Sequence, residues 1–180
     1  MSLNKTVLLT AFAASITLAS TAHAATDAQV TITGQIAAAT CDLSVTKNNI
    51  DLGTYTSSSI STSGEIASSS QSFTLNLTNC TKAYDNTGGT ASPVNLYAKG
   101  TALAANTAYF NNKDGGTVGV KLMADATAVE PNVASNITSL KTLSVGGSAS
   151  IPMTASLYST VVTPASQLIE APITFSIAYN

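Results

Sequence analysis

Between residues 72 and 80 the chain reads Ser-Phe-Thr-Leu-Asn-Leu-Thr-Asn-Cys, an alternation of apolar and polar residues. Successive side chains of a β-strand point to opposite faces, so Phe73, Leu75 and Leu77 are predicted to share one buried face. The same period of two recurs in five other stretches, at residues 42–46, 94–98, 118–122, 151–157 and 173–179. No helical period persists for three turns. The sequence therefore predicts an all-β sandwich of about seven or eight short strands.

The segments between these strands are rich in Gly, Asn, Ser and Thr. Residues 56–70 are predicted to be a mobile surface connection, and residues 106–116 are predicted to be a loop. A weaker extended element is expected over residues 137–145, and a short extended piece over residues 50–55. Because proline cannot donate to a β-ladder, Pro152 is expected at or near the start of its strand.

Composition restricts the classes of function. The chain has 180 residues, of which 44% are hydrophobic and 9% are charged, and it contains neither arginine nor tryptophan. This suits one domain with a neutral, hydroxyl-rich surface, as in secreted β-sheet proteins. Binding to nucleic acid is not expected, because phosphate neutralisation needs clustered Lys and Arg, whereas the seven lysines are scattered and the net charge is −2.

The first 24 residues have the features of a secretory signal peptide. Lys5 supplies the positive start, residues 7–19 are mostly apolar, and Ala22-His23-Ala24 forms a cleavage site. A membrane anchor is the alternative, but the run is short of the ~20 apolar residues that a spanning helix needs. We therefore expect export, with no membrane span after removal of the signal.

Export into an oxidising compartment would let the chain's two cysteines, Cys41 and Cys80, form a disulfide. The alternative is two separate buried thiols. Two cysteines are too few for a structural zinc site, so neither a metal nor a cofactor is expected.

Ahead of Cys41, residues 29–36 read Gln-Val-Thr-Ile-Thr-Gly-Gln-Ile. Val30, Ile32 and Ile36 fall on one face of an extended strand, and Gly34 leaves a notch on that face. A terminal segment is usually poorly ordered unless something holds it in place.

In this order and behind a signal peptide, these motifs resemble a pilin subunit of the bacterial chaperone–usher pathway, similar to the major subunits of type 1 and P fimbriae. The resemblance rests on the segment around Gly34, on Ile-Asp-Leu-Gly at residues 50–53, on residues 72–80, and on the ending Phe-Ser-Ile-Ala-Tyr-Asn at residues 175–180. One position departs from the family pattern, because Gln167 stands where members often carry a glycine.

The resemblance implies an incomplete immunoglobulin-like sandwich that lacks its last strand and carries an N-terminal donor-strand extension. Residues 1–24 would be the signal peptide, 25–38 the extension and 39–180 the pilin domain. Val30, Ile32, Gly34 and Ile36 would form the donor strand. The acceptor groove and chaperone contact would involve four residues of the last strand, namely Ile173, Phe175, Ile177 and Tyr179.

The implied function is that of a structural subunit of a surface fimbria, which polymerises by donor-strand exchange and supports adhesion. The implied partners are neighbouring pilin subunits, a periplasmic chaperone and an outer-membrane usher. The chain would pass through the periplasm to the cell surface.

Three alternatives belong to other classes. Catalysis is not expected, because His23 is the chain's one histidine and leaves with the predicted signal, although a Ser–Lys or carboxylate pair stays formally possible. A carbohydrate-binding minor or adaptor subunit could use exposed tyrosines, with Tyr84, Tyr97, Tyr109 and Tyr158 as candidates. Sortase-linked pilins need a cell-wall sorting tail, which is not expected here.

Overall fold

The computed structural model describes residues 41–84, 93–112 and 116–179 of the chain. In these ranges the strands are β1 (Asp42–Val45), β2 (Gly64–Thr78), β3 (Val94–Lys99), β4 (Ala102–Leu103), β5 (Asn106–Phe110), β6 (Val118–Ala124), β7 (Thr127–Ala128), β8 (Ala134–Ser135), β9 (Ala149–Ser159) and β10 (Thr174–Tyr179). Two 3₁₀ turns lie at Ser57–Ser59 and Thr138–Thr142.

The strands form two antiparallel sheets. The larger sheet has the order β1-β2-β9-β6-β5-β4, with β7 paired to β6, and the smaller sheet has the order β10-β3-β8. At the centre of the larger sheet, β9 pairs with β2 on one side and with β6 on the other, as in the pairs Leu75↔Ile151 and Leu122↔Ala155. The predicted all-β sandwich is confirmed, with more strands than the sequence indicates because several have only two residues.

The core lies between the inward faces of the two sheets. Phe73, Leu75 and Leu77 of β2 are buried together, which confirms the shared face that their alternation predicts. They pack with the apolar faces of the neighbouring strands, which contribute Val94, Leu96, Ala98, Val118, Val120, Leu122, Ile151, Met153, Ala155 and Leu157. Full burial of an aliphatic or aromatic side chain contributes roughly 1.5–3 kcal/mol.

The prediction of a mobile connection over residues 56–70 is wrong, because β2 already begins at Gly64. This early part of β2 pairs with β9, and the register shifts between Ile66 and Gln71. The shift is stabilised by Ser69, whose buried hydroxyl donates to the Ile66 carbonyl at 2.6 Å and accepts from the Leu157 N–H at 2.7 Å. Ser69 thus completes the backbone hydrogen bonding where the ladder between β2 and β9 is irregular. The polar composition of this stretch therefore does not indicate a loop.

Three smaller expectations also need correction. Residues 106–110 form β5, whose Phe110 is buried and pairs with Val120, so the predicted loop is partly strand. Residues 138–142 form a 3₁₀ turn instead of an extended element, and the buried Ile137, Leu140 and Leu143 follow its three-residue period. Pro152 lies inside β9, just before the residue at which pairing with β6 starts.

The cysteines form one disulfide, Cys41–Cys80, which confirms the predicted pairing over the alternative of two thiols. It joins the residue before β1 to the residue two places after β2, next to the β-pair Asp42↔Thr78. The disulfide therefore holds the start of β1 against the end of β2.

On the outer face of the larger sheet, the rings of Tyr109 and Tyr158 stack with their centroids 4.1 Å apart. They lie next to Gly119, where a Cβ atom would approach the Phe110 carbonyl oxygen to 2.9 Å and the Tyr109 Cβ to 3.1 Å. Burial, with a smaller contribution from the hydrogen bond to Tyr158, raises the pKa of Tyr109 to about 12. The two stacked rings therefore fill the space over Gly119.

Candidate functional site

The candidate site is the free edge of β10. This strand pairs with β3 from Thr174↔Lys99 to Tyr179↔Val94, and its other edge has no strand partner within the described ranges. An unpaired edge presents backbone N–H and C=O groups that can add another strand. The edge is therefore able to accept a further strand.

The alternation of β10 continues upstream of the strand itself. Along residues 169–179 every second side chain is half-buried against the core, and these side chains are Ile169, Ala171, Ile173, Phe175, Ile177 and Tyr179. Between them, Glu170, Pro172, Thr174 and Ser176 are exposed. The four residues that the resemblance assigns to the groove edge thus share one face, with Ile173 one residue before the strand. Ile173 and Phe175 line the groove described next, whereas Ile177 and Tyr179 lie outside its lining.

Beside this edge lies an open groove of about 1310 Å³. One wall is formed by residues 164–175 and the other by the segment that follows β1, residues 47–57. The floor is the core face of the larger sheet, formed by Ile66, Phe73, Val118, Val120, Leu122, Ala155 and Leu157. A groove with an apolar floor and a hydrogen-bonding edge fits an extended chain with apolar side chains on one face.

The wall opposite β10 is not a regular strand. After β1, the half-buried Ile50, Leu52 and Tyr55 pack against the core, which is the short extended piece that the sequence indicates, without ladder pairing. Gly53 has a φ of 87°, and its N–H donates to the Asp51 side chain at 2.8 Å. A side chain at Gly53 would be strained in this left-handed conformation, so glycine lets the wall turn here.

Beyond the groove lining, the C-terminal end of β10 approaches the disulfide. Since Cys41 carries no thiol proton, the Tyr179 hydroxyl donates to its Sγ over 2.9 Å. Burial raises the pKa of Tyr179, which keeps that proton in place. Further along, the rings of Phe175 and Phe73 lie 6.2 Å apart and connect the two sheets.

At the other end, Gln167 holds the segment before β10 against the start of β6. Its Oε1 accepts from the N–H groups of Thr117 and Val118 at 3.3 and 3.4 Å. Its Nε2 donates to the Thr117 hydroxyl at 3.1 Å and to the Ala165 carbonyl at 3.2 Å. In the sequence Gln167 is only a departure from the family pattern, because a single glutamine carries no periodic signal that would indicate this role.

The predicted donor residues Val30, Ile32, Gly34 and Ile36 lie outside the described residues, so their role stays a prediction. Of the candidate sugar-binding tyrosines, Tyr109 and Tyr158 stack on each other, and the Tyr84 hydroxyl accepts from Asn136 at 3.4 Å.

No group of three metal-ligating side chains occurs in residues 41–84, 93–112 and 116–179. In the same ranges, no helix has the length and apolar character needed to cross a membrane.

The chain is similar to known proteins both in its sequence profile and in its structure. A profile of the fimbrial protein family matches residues 30–180. The chain is similar in structure to the P pilus rod subunit PapA, with 20% sequence identity and a TM-score of 0.56 over 79% of this chain and 100% of that chain. It is also similar to a chaperone–usher pilus solved to explain rod uncoiling, with 20% identity and a TM-score of 0.54 over 85% of this chain and 95% of that chain. No curated protein sequence shows a significant match. The structural matches establish the incomplete immunoglobulin-like fold.

Proposed function

The chain belongs to the fimbrial protein family and is a pilus subunit, and we propose that it polymerises by donor-strand exchange. In this proposal, residues 25–38 of one subunit, freed by removal of the signal at 1–24, enter the groove of the next subunit. The observation that carries the proposal is the unpaired edge of β10 beside an apolar floor.

The energetics favour an apolar strand as the occupant. Val30, Ile32 and Ile36 would face the floor, and burying three such side chains contributes roughly 1.5–3 kcal/mol each, or ~5–9 kcal/mol together, before any ladder hydrogen bonds. Gly34 would lie over a shallow part of the groove, where a side chain has no room. Ile173, Phe175, Ile177 and Tyr179 would form the edge that the inserted strand follows.

The same geometry accounts for assembly and export. Donor segment and groove are different surfaces of the subunit, so the contact is head-to-tail and need not close into a ring. An exposed strand edge promotes aggregation, so a periplasmic chaperone would cover β10 until an outer-membrane usher delivers the subunit to the fibre. The product is a fimbria at the cell surface, where we infer a structural role in adhesion and not a catalytic one.

A pair of substitutions, three positions apart and on opposite faces of the last extended segment, tests this function. Ile173→Asp places a charge on the half-buried face that lines the groove, whereas Ser176→Asp places the same charge on the exposed face. We expect no fibres from Ile173→Asp, because a buried carboxylate would lack a partner, and normal fibres from Ser176→Asp. Electron microscopy of cells expressing each variant with its export machinery gives the result.

Ile173→Ala removes apolar contact without adding charge and is expected to give an intermediate fibre yield. If Ile173→Asp formed fibres as abundant as those of Ser176→Asp, the groove would not be the assembly site.

A further inference from the structure

The loop between β9 and β10 is held firmly yet exposes apolar side chains. The Thr160 and Thr163 N–H groups donate to the carbonyls of Thr117 and Ile60, both at 2.8 Å. The Ser57 hydroxyl donates to the Pro164 carbonyl at 2.6 Å. Together with the bonds of Gln167, these contacts anchor both sides of the loop at the far end of the groove from the disulfide.

Three large apolar side chains of this anchored loop face solvent: Val161 is 38% exposed, Val162 is 55% exposed and Leu168 is 66% exposed. Thr163 has a φ of 42°, a conformation that is costly for a β-branched residue. Single exposed apolar residues are ordinary, whereas three on one hydrogen-bonded loop form a candidate interaction surface. We call Val161, Val162 and Leu168 the apolar loop.

The opposite end of the sandwich carries the most exposed large apolar side chain of the described residues, Val145, at 70%. Its neighbours are tied to the disulfide, since the Gly146 N–H donates to the Cys80 carbonyl at 2.7 Å. We call Cys41, Cys80 and Val145 the disulfide end. Val145 precedes β9 and Val161 follows it, and the eleven residues of β9 span ~33 Å. The two apolar sites therefore lie at opposite ends of the subunit.

In a polymer, the short linker between the donor segment and Cys41 would bring the disulfide end of one subunit close to its neighbour. Only residues 37–40 separate Ile36 from Cys41, and an extended chain covers at most ~18 Å over those five steps. When Ile36 occupies the groove of a neighbour, the disulfide end of its own subunit must therefore lie close to the point where the inserted strand leaves that groove.

The direction of the inserted strand decides which end of the accepting subunit lies next to the disulfide end of the donating subunit. β10 runs from Thr174, near the apolar loop, towards Tyr179, near the disulfide. All strand pairs in the described ranges are antiparallel, and antiparallel pairing is the more stable arrangement. An antiparallel inserted strand leaves the groove next to the apolar loop.

We infer that the apolar loop of one subunit packs against the disulfide end, including Val145, of the subunit that donates its strand. This inference rests on the proposed donor-strand exchange and adds a second contact to it. The inserted strand links the subunits, and the contact between Val162, Leu168 and Val145 fixes the angle between them. The surface is heterologous, as a filament requires.

The test uses the full chain, expressed with a chaperone and an usher. Val161→Asp combined with Val162→Asp should leave the ladder of strand-linked oligomers on unheated SDS gels intact, because neither residue lines the groove. The fibres should become irregular, with the spread of angles between neighbouring subunits at least about twice that of the unmodified chain in electron micrographs. Val133→Asp is the matched control, because Val133 is 48% exposed and lies beside β8, at the edge of the smaller sheet away from β10.

Cysteine pairs give a second readout. Val145→Cys with Val162→Cys should form disulfides between subunits, seen as a ladder that survives boiling and disappears on reduction, whereas Val133→Cys with Val145→Cys should not. Fibres of the aspartate variant that match those of Val133→Asp, or crosslinks between two copies of Val145→Cys alone, would overturn the inference. If the unmodified chain itself gave no strand-linked ladder, the proposed donor-strand exchange would fail instead.

Discussion

Replacing Ile32 with aspartate is expected to abolish fibres while leaving the sandwich folded. Ile32 is central on the apolar face of residues 29–36, and in the proposed complex it faces the floor formed by side chains such as Val120 and Leu157. The substitution removes roughly 1.5–3 kcal/mol of apolar burial and adds the larger cost of burying an unpaired carboxylate. Fibre counts by electron microscopy should fall to the background of cells that lack the chain.

Thr33→Asp is the control for this experiment, because Thr33 is the next residue and belongs to the opposite face of the same predicted strand. It should assemble with near-normal yield. Since Ile32 precedes the sandwich, the circular dichroism of the purified subunit should be unchanged in both variants. Abundant surface fibres from Ile32→Asp would contradict the assignment of the donor face.

Loss of the disulfide is expected to have the largest effect on stability. Cys41–Cys80 closes a loop with a sequence separation of 39, for which the chain-entropy model gives ~4 kcal/mol of stabilisation. The double variant Cys41→Ser with Cys80→Ser avoids a free thiol and should lower the free energy of unfolding by about that amount. Urea denaturation of the subunit, with a copy of residues 29–36 fused after Asn180, measures the difference.

The double variant should also loosen the C-terminal end of β10, because Tyr179 donates its hydroxyl hydrogen bond to Cys41. Tyr179→Phe isolates this second effect, since it removes the hydrogen bond and keeps the disulfide and the ring. It should lower the free energy of unfolding by about 0.5–1.5 kcal/mol, the range of one hydrogen bond. An unfolding free energy of the double variant equal to that of the intact chain would contradict the structural role of the disulfide.

The regular part of the fold could be predicted because burial and period agree there. Phe73, Leu75 and Leu77 alternate in the sequence and are buried together, and the alternation of Ile173 to Tyr179 marks the groove edge in the same way. In these stretches the alternation alone identifies the face that packs against the core. The fold class and the position of the candidate site follow from such stretches.

The missed elements depend on contacts between distant residues. The early half of β2 is serine-rich, and its ladder with β9 is completed by Ser69, a contact that no local pattern reveals. Ile137, Leu140 and Leu143 recur every third residue, a spacing that matches neither the period of a strand nor that of an α-helix, so the short 3₁₀ turn is not indicated by the sequence. The bonds of Gln167 to Thr117 and Val118 join residues about fifty positions apart, so this contact between the segment before β10 and the start of β6 could not be predicted from either segment alone.

The central claim is that this sandwich is incomplete without a strand from another subunit, and calorimetry tests it most directly. The measurement compares a subunit lacking residues 25–38 with the same subunit after addition of a peptide copying residues 29–36, with an Ile32→Asp peptide as control. Our account predicts a low, poorly cooperative melting transition for the truncated subunit, raised strongly by the native peptide and not by the control. A truncated subunit that melts cooperatively at high temperature and gains nothing from the peptide would contradict it.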